Sequence, residues 1–241
     1  MTFVDHLSEL RKRLFISLIA FIAAFSAAFA HTRQIAEYLV KPAGDLSFVF
    51  LAPSELFMTY IKVALFAGLA LSSPVMLYEL WMFVSPGLTS RERRAVFFAL
   101  VCGAILFLIG AVFAYYVIIP FMLRFFLSYS FQRVEAFLSI NEYFGFVFSL
   151  ILAFGAAFEL PIAAWILGAF GVLKAETLIK YRYVAVLVIF IAAAIITPPD
   201  VISQVLLGIP MCGLYELSII NLKILEKRQA KIVKGTQEDQ R

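Results

Sequence analysis

Charge is the first thing this sequence is short of. Only 15% of its 241 residues are Asp, Glu, Lys or Arg, against about 25% in a soluble chain. Apolar residues fill the gap at 63%, where soluble domains hold about 45–50%. A water-borne fold of this length cannot hide so much apolar surface, so a lipid-embedded protein is indicated. Long polar stretches are missing too, which leaves no room for a separate soluble domain outside the C-terminal tail. Histidine occurs only as His6 and His31, at opposite ends of the first apolar run. Cysteine occurs only as Cys102 and Cys212, both inside apolar runs, where a thiol behaves as a small hydrophobe. No metal-ligand spacing can be built from these residues. The patterns G-x-x-x-x-G-K-[ST], H-E-x-x-H and G-x-S-x-G do not occur. No cofactor, no metal and no catalytic apparatus are therefore expected. The net charge is +4, but the basic residues are spread over short loops. That spread fits membrane topology and gives no reason to expect nucleic acid as a partner.

What the chain does have is apolar runs. A helix needs about 20 apolar residues to cross a ~30 Å core. The pattern is best cut into six spans, at about 14–30, 56–80, 95–123, 143–173, 183–196 and 201–222. They are expected to form one all-α transmembrane domain over 1–241, with 223–241 a flexible charged tail. The first run is preceded by Arg11, Lys12 and Arg13 and contains Ala28-Phe29-Ala30, which imitates a cleavable leader. Its length, and Asp5 and Glu9 ahead of it, favour a retained span. Alternate crossings put fifteen of the twenty Lys and Arg residues on one side. The positive-inside rule makes that side cytoplasmic and places both termini there.

The spans are uneven. The uncharged run 95–123 has 29 residues and would be about 43 Å long as a helix, so it must tilt, project or bend, with Pro120 a candidate for the bend. The run 183–196 has 14 residues, about 21 Å, and cannot cross the core unaided. The last span is expected to be short as well, because its uncharged part is 201–215 and Pro210 interrupts it.

Four groups of polar residues stand out. Glu159 lies inside an apolar run, where a charged, unpaired carboxylate costs several kcal/mol. It reads either as a hydrogen bond between helices or as a functional polar site in a hydrated cavity. Pro161 beside it predicts a kink. Ahead of the first span, Glu9 and Arg13 form an i,i+4 pair on a segment that also reads as an interfacial anchor. The loop Ser90-Arg91-Glu92-Arg93-Arg94 supplies topology charge through its arginines, which leaves Glu92 without an evident reason. In Thr197-Pro198-Pro199-Asp200, Asp200 reads as a helix N-cap. Gln204, one turn on, adds a polar pair entering a membrane helix. From the residues alone, a proton-coupled secondary transporter using Glu159 is the competing reading, although inverted repeats are not found.

Together the motifs resemble the TatC family, the large subunit of the twin-arginine protein translocase. The resemblance is carried by His6-Leu-x-Glu9-Leu-Arg11-x-Arg13, Ser73-Pro74-Val-x-Leu-Tyr78-x-x-Trp81-x-Phe83-x-x-Pro86-Gly-Leu, and Glu92-Arg93-Arg94. Phe158-Glu159-Leu-Pro161, Arg182-Tyr183 and Thr197-Pro-Pro-Asp200-x-x-Ser203-Gln204 extend it over nearly the whole chain. It implies a concave, glove-like bundle of six helices with two short C-terminal spans in a bacterial or archaeal cytoplasmic membrane. It implies a receptor for the twin-arginine signal peptides of folded precursors, with export driven by the proton-motive force and no enzymatic activity. Glu9 and Glu92 would each hold a guanidinium, with Arg11, Phe83, Arg93 and Arg94 around them. Carboxylates suit arginine better than lysine, because the guanidinium fork binds them bidentately. Glu159 would lie on the hydrated concave face. Asp200 and Gln204 would lie on the side that takes single-span partners of the TatA and TatB type. Tyr115 and Pro42 also match family positions, and further copies of the chain are expected in a larger complex.

Overall fold

In the computed structural model the described residues are 3–44, 46–50, 52–128, 138–196 and 201–238. They are almost entirely helical. In chain order the helices are α1 (Phe3–Ala30), α2 (Thr32–Val40), α3 (Pro53–Val84), α4 (Ser90–Phe113), α5 (Ile119–Ser128), α6 (Ile140–Phe158), α7 (Leu160–Ala169), α8 (Ala175–Lys180), α9 (Arg182–Ile196) and α10 (Val201–Glu238). Five stretches are long and apolar enough to cross a membrane: His6–Ala30, Pro53–Gly87, Glu92–Ser128, Ile140–Ala169 and Val201–Arg228. Arg182–Ile196 is apolar but shorter. The chain is thus a multi-pass membrane protein of five to six apolar helices. It packs as two compact units, Met1–Leu100 with Ile119–Phe148, and Val101–Ile118 with Ser149–Arg241.

The first unit is organised by α1 against α3. Arg13 meets Glu79 and Phe25 meets Gly68, so the two helices run antiparallel. The buried face of α3 is mostly small: Thr59, Val63, Ala64, Gly68, Ser72 and Glu79. Small residues let membrane helices approach closely, since apolar burial drives little association in lipid. At Gly68 a Cβ would lie 2.8 Å from the Phe25 Cα. At the far end of α3 a two-residue parallel ladder pairs β1 (Phe48–Val49) with β2 (Leu138–Ser139). Around it the Lys62 ammonium donates to Asn141 Oδ1 at 2.6 Å, and the Tyr143 hydroxyl donates to the Leu39 carbonyl at 2.8 Å. Ser139 donates to the Glu55 carboxylate. Pro42 sits in the 3₁₀ turn Lys41–Ala43, which follows α2 directly.

The stretch 90–128 runs on through a π-helical turn, Ala114–Ile118. Pro120 lacks an N–H, and its ring would clash with a carbonyl four residues back. A π turn just ahead of it relieves that conflict without breaking the helix. Tyr115 is buried within this turn. The 37 residues Glu92–Ser128 measure about 55 Å, so the ends of this helix stand outside a ~30 Å core.

The run 143–173 is divided at a point within the second unit. The helix stops at Phe158, Glu159 is a turn residue, and α7 restarts with Pro161 in its first turn. The expected kink therefore falls at the acid. The last apolar run departs from expectation. It is not short: α10 continues through Pro210 from Val201 to Glu238. Proline forfeits one backbone bond, and packing on both flanks supports the helix past it. Gly208 lies against Phe190 of α9, and Gly168 of α7 against Leu222. Of the two runs expected to be short, only α9 is, with 15 residues.

Candidate functional site

One group of polar residues of the first unit collects where α1 begins and α3 ends. His6, Glu9 and Arg13 follow one another at three and four residues, so they share a face of α1. Glu79 and Phe83 share a face of α3 for the same reason. Antiparallel packing brings the two faces together. The His6 ring stacks on Phe83, with centroids 4.5 Å apart and planes 19° apart. Arg13 donates from Nε and Nη2 to Glu9 Oε1 at 2.8 and 2.6 Å, and from Nη1 to Glu79 Oε2 at 2.9 Å. Glu79 is only 6% exposed. Sequence reasoning missed it, because it looks like the polar end of the second span. The signal for it exists only once Arg13 is known to lie opposite.

After α3 the chain makes a 3₁₀ turn, Ser85–Gly87, and α4 starts at Ser90. Glu92 therefore stands at the same end of the unit as Glu9, on the first turn of α4. Its reason for being there is now evident. The Thr89 amide and hydroxyl donate to Glu92 Oε2 at 2.9 and 2.7 Å, and the Glu92 amide faces the Thr89 hydroxyl at 3.5 Å. This is a reciprocal capping box over the helix N-terminus. Those donors hold the Glu92 carboxyl below the usual carboxylate range, so it is charged at neutral pH. Glu9 and Glu92 thus end on neighbouring helix termini, each with part of its carboxylate occupied from within the chain. Arg11, Arg93 and Arg94 are exposed. Among the described residues none of the three enters an ion pair, and the one arginine drawn into these acids is Arg13.

Of the other expected residues, Pro42 lies in the first unit, Tyr115, Glu159 and Gln204 lie in the second, and Asp200 lies outside the described residues. Glu159 rests against α4, where a Cβ on Gly103 would come 2.7 Å from its Oε2. No hydrogen bond to its side chain is found among the described residues. Gln204 Nε2 donates to the Phe190 carbonyl at 2.8 Å, tying α10 to α9. At the other end of α9, Arg182 pairs with Glu216 at 2.7 Å, and the Tyr215 hydroxyl donates to the Leu178 carbonyl at 2.7 Å. No group of three His, Cys, Asp or Glu able to hold a metal occurs among the described residues.

The family model for the Sec-independent protein translocase protein (TatC) matches residues 5–210. A Sec-independent protein translocase protein TatC from Aquifex aeolicus is 38% identical over 98% of this chain and 100% of its own length. One from Desulforapulum autotrophicum is 38% identical over 94% of this chain and 86% of its own. A crystal structure of a twin-arginine translocase receptor, TatC, superposes with a TM-score of 0.78 at 39% identity, covering 91% of this chain and 98% of that one.

Proposed function

This chain belongs to the TatC family of Sec-independent protein translocase proteins, and from that premise we propose that it receives twin-arginine signal peptides where α1 begins, α3 ends and α4 begins. It is a core subunit of the twin-arginine translocase. The observation that carries the binding site is an imbalance in ion pairing. Glu9, Glu79 and Glu92 collect at one end of the first unit, and among the described residues a single arginine, Arg13, is engaged with them. The other arginines Arg11, Arg93 and Arg94 are exposed, where solvent and salt screen their repulsion of an arriving guanidinium. Glu9 and Glu92 each take one arginine of the peptide, and Phe83, already stacked on His6, offers an aromatic face beside them.

The excess of basic residues in alternate loops supports a cytoplasmic position for this end and for both termini. A cytoplasmic membrane, a concave glove-like bundle and proton-motive-force-driven export follow from the same reading. Glu159, without a hydrogen bond of its own among the described residues, suits a hydrated face within the membrane. Gln204 spends its amide N–H on α9 and keeps its carbonyl for a single-span partner of the TatA or TatB type, with Asp200 nearby in sequence. Transport proceeds through assembly with such partners and with further copies of the chain, and no catalytic reaction is needed.

The test is photocrosslinking of a twin-arginine signal peptide to the full-length protein in membranes. The Glu9→Ala plus Glu92→Ala double variant should lose at least about tenfold of the crosslink, since two charge-assisted bonds go at once. A peptide with two lysines should bind more weakly than the arginine form. Undiminished crosslinking to the double variant would sink the acid-pair reading.

A further inference from the structure

The Arg13 guanidinium is shared between two carboxylates, and the sharing is uneven in its consequences. Nε and Nη2 both fall on a single oxygen of Glu9, while Nη1 reaches across to Glu79. Glu9 sits four residues before Arg13 on the same helix, so this pair would form even on an isolated helix. Alone it would be neutral. An arriving guanidinium would then meet no net charge and would compete with an internal arginine already in place. Glu79 changes that sum, because two carboxylates and one guanidinium carry a net charge of −1. Glu79 is also the more buried of the two acids. A buried carboxylate gives up its counter-charge at much greater cost than a half-exposed one. Arg13 is therefore held more firmly by Glu79 than by Glu9.

We infer that Glu79 is a positioning residue for arginine recognition: it retains Arg13 when a twin-arginine peptide docks, so that Glu9 is released to the incoming guanidinium. Glu79 acts through Arg13 and does not touch the peptide. Before docking, one guanidinium serves two carboxylates. After docking, two guanidiniums serve two carboxylates, and neither acid is left without a partner. The exchange needs only rotation of the Arg13 side chain. The His6–Phe83 stack and the close approach at Gly68 hold α1 against α3 meanwhile. Arg11 and Lys12, on the neighbouring positions of α1, are exposed and do not enter the pair network among the described residues.

The inference rests on Glu9 receiving a signal arginine, and the experiment separates the two claims. Full-length protein in detergent is titrated with a fluorescent twin-arginine signal peptide. A second peptide, with both arginines replaced by glutamine, gives the arginine-independent part. Glu79→Gln should weaken the arginine-dependent part at least about fivefold, since fivefold is the upper worth of an exposed ion pair and this one is buried on the Glu79 side. Adding Arg13→Gln to Glu79→Gln should restore affinity toward the parental value, because the internal competitor is gone. A merely structural Glu79 predicts the opposite, a double variant at least as weak as the single one. Parental affinity in Glu79→Gln, or a double variant that stays weak, overturns the inference. Glu9→Gln is the separate arm. If it binds as the parent does, the Glu9 reading fails; if it loses binding while Glu79→Gln does not, only the present inference fails.

Discussion

At the scale of single residues, Glu92 at the end of the first unit joins a helix cap to the recognition role proposed for it. Glu92 closes a capping box with Thr89. Thr89→Ala should cost about 1 kcal/mol of stability, the usual worth of an N-cap, read as a lower melting temperature in detergent. It should also change the pH dependence of peptide binding. The Thr89 donors lower the Glu92 pKa, so the carboxylate keeps its charge as pH falls through the ordinary glutamate range. Its contribution is present above that range and is lost only when pH drops through the lowered value. In Thr89→Ala the acid limb of the binding curve should therefore move to higher pH, and an unmoved limb would show that the cap does not tune this carboxylate. The T-x-x-E spacing at 89–92 is a capping signature legible in the sequence, although the arginines around it draw the eye to charge instead. Glu79 is not legible in that way. It gains meaning only from Arg13, sixty-six positions away in sequence, through the register of two helices.

At the scale of elements, most helices fall where the apolar runs place them, because runs of this length have few alternatives in lipid. Helix breaks are less legible. Pro161 points to a kink, and the break comes two residues earlier, at Glu159. Pro120 points to a bend and is accommodated by a π turn. Pro210 points to an ending and lies inside a continuous helix. The same residue type gives three outcomes because neighbouring helices, absent from a linear reading, decide whether a lost backbone bond can be tolerated. Helix contacts make a sharper prediction. At Gly68 a Cβ would meet the backbone of α1, 2.8 Å from the Phe25 Cα. At Gly168 it would meet the tip of the Leu222 side chain, which can rotate. Gly68→Ala should thus cost about 1–3 kcal/mol, the range for overpacking, and Gly168→Ala distinctly less. Thermal unfolding of the two variants side by side reads the difference, and equal costs would mean that α1 and α3 are free to separate.

At the scale of the whole molecule, the bilayer enters as a partner. The α9 helix has 15 residues, about 22 Å, some 8 Å less than a ~30 Å core. Mismatch costs a fraction of a kcal/mol per Å. The protein should therefore melt at a higher temperature in liposomes of short-chain lipids than in long-chain ones. A melting temperature that ignores chain length would mean that α9 does not cross at all. The family and the multi-pass class were determined by the sequence alone, and Glu9, Glu92 and Glu159 were legible in it as candidates. Apolar length, loop charge and local motifs are written within a few dozen residues of one another and need no partner to be read. The third carboxylate, the engagement of Arg13 with it and the unbroken last helix were decided only by the tertiary structure. Each depends on which face of one helix lies against which face of another, and helix register is set by packing between helices rather than by any one segment.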